Sequence, residues 1–129
     1  MLRKEIVYGI PILLYLGIFL ISSVPGSALP AKIPDVIPHF CEYAILAFFF
    51  IRIFNHPVNV KTMAIGLAWL ILLGLLDELH QVFVPGRFFT LEDLLYDTFG
   101  SLSGLLAYRM LWHRKVQNKS KKRMRTDQE

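Results

Sequence analysis

The chain has 129 residues, 54% of them hydrophobic and only 19% charged, with a mean hydropathy of +0.47 and a formal net charge of +4. A soluble domain of this size needs more charge to cover its surface, and the apolar residues come in blocks rather than in strand-like alternation, so a soluble helical bundle is set aside in favour of an all-α integral membrane protein. Seven Lys/Arg lie between Arg114 and Arg125, directly after an apolar block, which reads as an anchor on anionic lipid and not as a nucleic-acid site.

Four spans are expected, at about residues 6–24, 36–54, 60–79 and 91–112, followed by a basic tail over 113–129. Each falls within the roughly 17–25 residues that cross a bilayer. The first, "IVYGIPILLYLGIFLI", carries no charge, and Pro11 is a candidate kink within it. Arg3 and Lys4 ahead of this run, with "GSA" ending at Ala28 behind it, also resemble a signal peptide. The run is long for one and prolines crowd the cleavage point; cleavage would leave three spans. The second span has the short uncharged core "YAILAFFFI" and reaches full length only by taking in His39, Glu42 and Arg52. Cys41 excludes an intrachain disulfide, since it has no partner, and its apolar neighbours predict a buried packing thiol.

Between the spans the sequence breaks in expected places. "SSVPGSALPAKIPDVIP" holds four prolines, "NHPVN" separates spans two and three, and "VPGR" is a turn with Pro85 and Gly86 as its central pair. Thr90 suits the N-cap of the fourth span, with Asp93 at its third position. From Gln117 onward the tail is expected to lose order beyond its lipid contacts. Lys and Arg set the orientation. Arg3 and Lys4, the Arg52–Lys61 turn with His56, and the tail are basic, whereas the loops over 22–38 and 80–90 carry only Lys32 and Arg87. The rule that positive loops stay in the cytoplasm then predicts a four-helix bundle with both termini inside, N-in/C-in.

This orientation brings the polar residues to one height. His39, Glu42 and Tyr43 open span two, Glu78 and Gln81 close span three, Arg87 lies in the turn, and Asp93 and Asp97 open span four. An ionised side chain facing lipid costs at least roughly 2.5 kcal/mol near the bilayer centre, so Asp97 should face inward and find a partner. Arg87 is the first candidate and His39 the second. Gly100 and Gly104 share the Asp97 face and form a small-xxx-small pair that lets another helix approach. His80 points away from the Glu78/Gln81 face and reads as a surface residue. Asp77 is divided evenly between packing and interface. Arg52, Lys61 and Arg109 read as snorkelling anchors.

These residues resemble the VanZ-like family of bacterial membrane proteins. "HFCEYAIL", "DELHQVFVPGR" and "TLEDLLYDTFGSLSGLLAY" carry the resemblance, over about residues 35–108. The ordered set runs His39, Glu42, Tyr43, Glu78-x-x-Gln81, Arg87, Asp93, position 97 and Gly100. This chain departs from the family at Asp97, where an Asn is common. The resemblance implies a multi-pass protein of the bacterial cytoplasmic membrane with an outward-facing polar site, related to a teicoplanin-resistance protein. The phosphotransbutyrylase label that some members carry finds no phosphate-cradling glycine loop or acyl-CoA pocket here.

Three functions follow as expectations. The first is a site that binds a lipid-linked or amphiphilic envelope ligand at the outer leaflet, with links to glycopeptide resistance, built from His39, Glu42, Tyr43, Glu78, Gln81, Arg87, Asp93 and Asp97. The second is an intramembrane hydrolase of a lipid or glycolipid phosphoester, in which His39, Glu78 and Asp93 act as base, acid or metal ligand. The third is a small transporter or structural subunit, with no ionisable residue at the midplane to favour it. Whether the chain is an enzyme stays open at this point, as do any cofactor and any metal. Expected partners are membrane lipids, a lipid-linked cell-wall precursor or glycopeptide, anionic inner-leaflet lipid for the tail and a second copy of the chain.

Overall fold

The computed structural model describes residues 4–28, 34–54 and 58–126. Arg3, Lys32 and His56, which entered the orientation, lie outside them. Four long helices form the molecule: α1 (Lys4–Ser22), α2 (Val36–Phe50, continued by a tighter turn over Ile51–Phe54), α3 (Val60–Gln81) and α4 (Leu91–Thr126). A short turn, Gly26–Ala28, follows α1.

The helices start and stop for local reasons. Asn59 caps α3, its side-chain oxygen accepting from the Thr62 backbone N–H at 2.9 Å. Thr90 caps α4 as expected, its Oγ1 accepting from the Asp93 N–H at 3.1 Å. Between α3 and α4 the chain reverses in the expected turn. The Arg87 N–H donates to the Val84 carbonyl, and Gly86 has φ +75, a conformation that glycine adopts without the penalty a side chain would bring. Gly26 lies against this turn, donating its N–H to the Pro85 carbonyl at 3.1 Å, and a side chain on Gly26 would collide with the Gly86 carbonyl. The loops after α1 and α3 are therefore packed on each other.

Three helices, Lys4–Ser22, Val36–Phe54 and Val60–Gln81, are long and apolar enough to cross a membrane. In α4 the acids Glu92, Asp93 and Asp97 crowd the first two turns and offset its apolar residues. The helix also does not end near Trp112. It runs 36 residues to Thr126, about 54 Å, so the expected loss of order from Gln117 is corrected to a continuous helix. The alternating Lys/Arg and polar residues of that segment contain no proline or glycine to stop it.

The seam between α2 and α4 is the closest in the bundle. A methyl group on Gly100 would strike the Phe40 carbonyl, and one on Gly104 the Ala44 carbonyl. Only glycine lets the two backbones meet here, and the small-xxx-small reading stands. Around this seam the centre of the bundle fills with Leu46, Ala47, Ile51, Met63, Leu70 and Leu105. The outside is apolar too, with Leu13 70%, Leu20 68% and Trp69 53% exposed, as a lipid-facing surface requires. Cys41 is exposed, not buried, because its position on α2 turns away from α4.

Candidate metal and acid–base centre

Where α2 and α4 begin and α3 ends, the interior changes from apolar to polar. His39, Asp77, Glu78, Gln81, Asp97 and Ser101 are all buried, with Glu78 at 0% and Asp97 at 1% exposure. Each comes from a helix face that the glycine contacts turn inward. Asp97 lies one turn before Gly100–Ser101 on α4, and its Oδ2 stands 3.2 Å from where a Cβ on Gly74 of α3 would be. A larger residue at 74 would displace this carboxylate.

Three side chains from three helices meet here. His39 of α2, Glu78 of α3 and Asp97 of α4 each offer one ligand atom, all within 4.8 Å of one another. His39 Nδ1 and Asp97 Oδ1 are 3.0 Å apart. With Nδ1–H as the donor, Asp97 fixes the ring and leaves Nε2 with a free lone pair, the state of a general base or metal ligand. Glu78 is held on both oxygens. Oε1 accepts from Gln81 Nε2 at 3.3 Å, and Oε2 accepts from the Thr90 backbone N–H at 3.2 Å, so the cap of α4 also anchors the carboxylate of α3. Gln81 Nε2 donates as well to Asp77 Oδ2 at 3.1 Å, and the same oxygen receives the Ser22 hydroxyl of α1 at 2.7 Å. A continuous chain, Ser22 to Asp77 to Gln81 to Glu78, thus ties α1 to the centre.

The structure sorts the expected site residues. His39, Glu78, Gln81 and Asp97 converge, with Tyr43 buried beside them at 1% exposure. Asp97 takes His39, the second candidate, as its partner. Arg87 instead donates from Nε to the Val24 carbonyl at 3.4 Å, because the packed loops hold its stem beside α1. Glu42 is half-buried and outside the trio. Asp93, expected beside His39 and Glu78, sits with Asp35, Glu92, Thr90 and Tyr96 around a cavity of about 200 Å³ at the same end. Gly100 and Gly104 serve packing. His80 is not a free surface residue: its ring stacks on Phe19 with centroids 4.1 Å apart, and Nε2 lies 3.0 Å from Ser23 Oγ.

Sequence reasoning missed Ser22 and Ser101 as parts of this interior and left Asp77 divided between packing and interface. Asp77 and Gln81 are four apart and share a helix face, and so are Asp97 and Ser101; that spacing was the available signal. Nothing in the sequence pointed to Ser22.

The family model for VanZ/LLP1 matches residues 12–112, which include α2 and α3 whole, parts of α1 and α4, and every residue of the buried trio. The chain belongs to the VanZ/LLP1 family. No curated protein and no solved structure matches it. Family membership and the three apolar helices make this VanZ/LLP1 protein a multi-pass membrane protein.

Proposed function

We propose that this VanZ/LLP1 protein is an intramembrane hydrolase that cleaves a lipid or glycolipid phosphoester with a cation and water held at His39, Glu78 and Asp97. The observation that carries the proposal is the meeting of one imidazole and two carboxylates from three helices, within 4.8 Å and all buried. A purely structural role is a poor account of it. Buried carboxylates are costly in an apolar bundle, and a single hydrophobic side chain at each position would pack α2, α3 and α4 at lower cost.

The donor set fits a hard divalent cation such as magnesium or manganese. One imidazole with carboxylate oxygens is not the closed nitrogen–sulfur set of structural zinc, and the unsatisfied Asp97 Oδ2 leaves acceptor capacity at the centre. A cation there would supply Lewis-acid polarisation and lower the pKa of a bound water. The residues do the rest. Asp97 orients His39, whose other ring nitrogen faces the cation site, and a Glu78 oxygen takes a proton from the attacking water. Gln81 and the Thr90 N–H hold Glu78 at a fixed height. As the water oxygen bonds to phosphorus, the P–O bond to the leaving group breaks, and that oxygen takes a proton from an acid, the role this reading gives to Asp93. Arg87 has its terminal nitrogens free of partners among the described residues and would meet the phosphate.

The lipid character of the substrate rests on the surroundings. Phe83 and Phe88, in the loop between α3 and α4, are 84% and 77% exposed beside Arg87, as expected of side chains dipping into the interface of a bilayer. In this reading α4 is the fourth span, both termini are cytoplasmic, the trio lies near the outer surface, and the basic end of α4 reaches anionic lipid on the inner side.

The test is release of phosphate or phosphorylated headgroup from mixed micelles of glycerophospholipids or polyprenyl phosphates by the purified protein. Turnover that needs added Mg²⁺ or Mn²⁺, and that His39→Ala and Asp97→Asn both remove, is the expected result. Retention of one lipid without turnover, unchanged by chelation, would return the protein to the role of a binding module.

A further inference from the structure

One step deeper than the trio, the same helices place a second set of polar atoms. Tyr43 lies one turn inward of His39 on α2, Ser101 one turn inward of Asp97 on α4, and Asp77 one residue inward of Glu78 on α3. Tyr43, Asp77 and Asp97 are each 1% exposed and Ser101 is 0% exposed. Tyr43 Oη, Asp77 Oδ1, Asp97 Oδ2 and Ser101 Oγ have no hydrogen-bond partner among the described residues. These four atoms are the buried side-chain oxygens or nitrogens left without one there.

Asp97 Oδ2 is directed at the Gly74 backbone, one turn from Asp77 on α3. Tyr43 on α2 and Ser101 on α4 belong to the two helices of the seam that the contacts of Gly100 with Phe40 and of Gly104 with Ala44 define. Asp97 presents Oδ1 to His39 on the outer level and Oδ2 to the inner one, so a single carboxylate spans both.

We infer that a second hard cation binds at this inner level, among Tyr43 Oη, Asp77 Oδ1, Asp97 Oδ2 and Ser101 Oγ, with Asp97 bridging it to the outer site. The inference rests on the reading of His39, Glu78 and Asp97 as a cation site. Charge decides between a cation and a water. Asp77, Glu78 and Asp97 carry three negative charges when ionised. His39 is neutral when it serves as a ligand, and Arg87 is turned to Val24. One divalent ion on the outer trio leaves one negative charge in a low-dielectric interior, which a neutral water at the inner level does not remove; a second divalent ion turns it to one positive charge, which hydroxide or a phosphate oxygen at the site would neutralise. The inner set is all oxygen, which selects magnesium, manganese or another hard ion over zinc or copper. A pair of ions sharing a carboxylate is the arrangement that holds both the attacking and the leaving oxygen in phosphoryl hydrolysis.

Titration of the detergent-purified full chain with Mn²⁺, followed by the loss of the free-ion EPR signal, counts the ions directly. The expected result is two per chain, with spin–spin broadening of the bound signal. Tyr43→Phe and Ser101→Ala remove one hydroxyl each and keep the packing; each should weaken the second ion roughly tenfold or more while the first is unchanged. One ion per chain in the native protein, or two ions with affinities that neither variant alters, overturns the inner site and leaves the outer one intact. No bound Mn²⁺ at all overturns both the inner site and the cation reading of the trio.

Discussion

The two ends of this bundle are built from the same three helices and filled in opposite ways. At one end α2, α3 and α4 close on Leu46, Ile51, Met63, Leu70 and Leu105; at the other they close on His39, Asp77, Glu78, Asp97 and Ser101. The first set gives stability through packing alone, since lipid chains are as apolar as leucine and add no drive for association. The second set works against stability unless each polar atom finds a partner. A membrane bundle can carry such a cluster because the glycine seam and the apolar end hold the helices together independently of it. The contrast implies that substitutions at one end should affect chemistry and at the other folding, and that separation can be tested.

The largest effect belongs to the polar end. Glu78→Gln keeps the shape and one acceptor oxygen, so the helix arrangement should survive, while turnover falls by roughly 10²–10⁴-fold, the usual contribution of a positioned acid–base or ligand group. Phosphate release per folded molecule measures it, and retained activity would separate Glu78 from the chemistry. At the apolar end, Leu70→Ala should cost about 2–5 kcal/mol of stability by thermal or denaturant unfolding in micelles, with turnover of the folded fraction unchanged. A matching loss of turnover would show that the two ends are coupled.

Smaller effects sharpen the boundary between them. Gln81→Leu removes the amide that links Asp77 and Glu78, and Mn²⁺ affinity should fall by roughly 10–100-fold, as for other groups that orient metal ligands. Equilibrium Mn²⁺ binding checks this, and an unchanged affinity would leave Glu78 oriented by Thr90 alone. Ser22→Ala, at the far end of the same chain of bonds, should cost only about 0.6 kcal/mol, a typical value for a hydrogen bond between membrane helices. A loss several times larger in the same unfolding assay would make α1 an essential clamp on the centre.

Much of this division was legible in the sequence. The apolar blocks gave four helices, Thr90 gave the start of α4, and Gly100 and Gly104 on the Asp97 face gave its close approach. Those features depend on local spacing and backbone chemistry, which sequence carries directly. The pairing of polar groups was less legible. Arg87 looked the stronger partner for Asp97 by charge, yet the packing of the Gly26 and Gly86 loops fixes it beside Val24, and that contact spans 63 positions of sequence. The roles of Asp93 and Asp97 differ by one helical turn of depth, which only the placement of α3 decides. Asp77 and Ser22 meet across 55 positions with no shared motif. The exposed Cys41 turns on a helix rotation that a uniformly apolar stretch does not encode.

The central claim is that His39, Glu78 and Asp97 gather to hold a cation in the buried polar end. The most direct measurement is pulsed EPR of Mn²⁺ bound to the purified protein, which detects a coordinated imidazole nitrogen through its hyperfine modulation. The account predicts a single-histidine nitrogen coupling in the native chain that disappears in His39→Ala. Bound Mn²⁺ with no nitrogen coupling, or a coupling that survives the loss of His39, would contradict it.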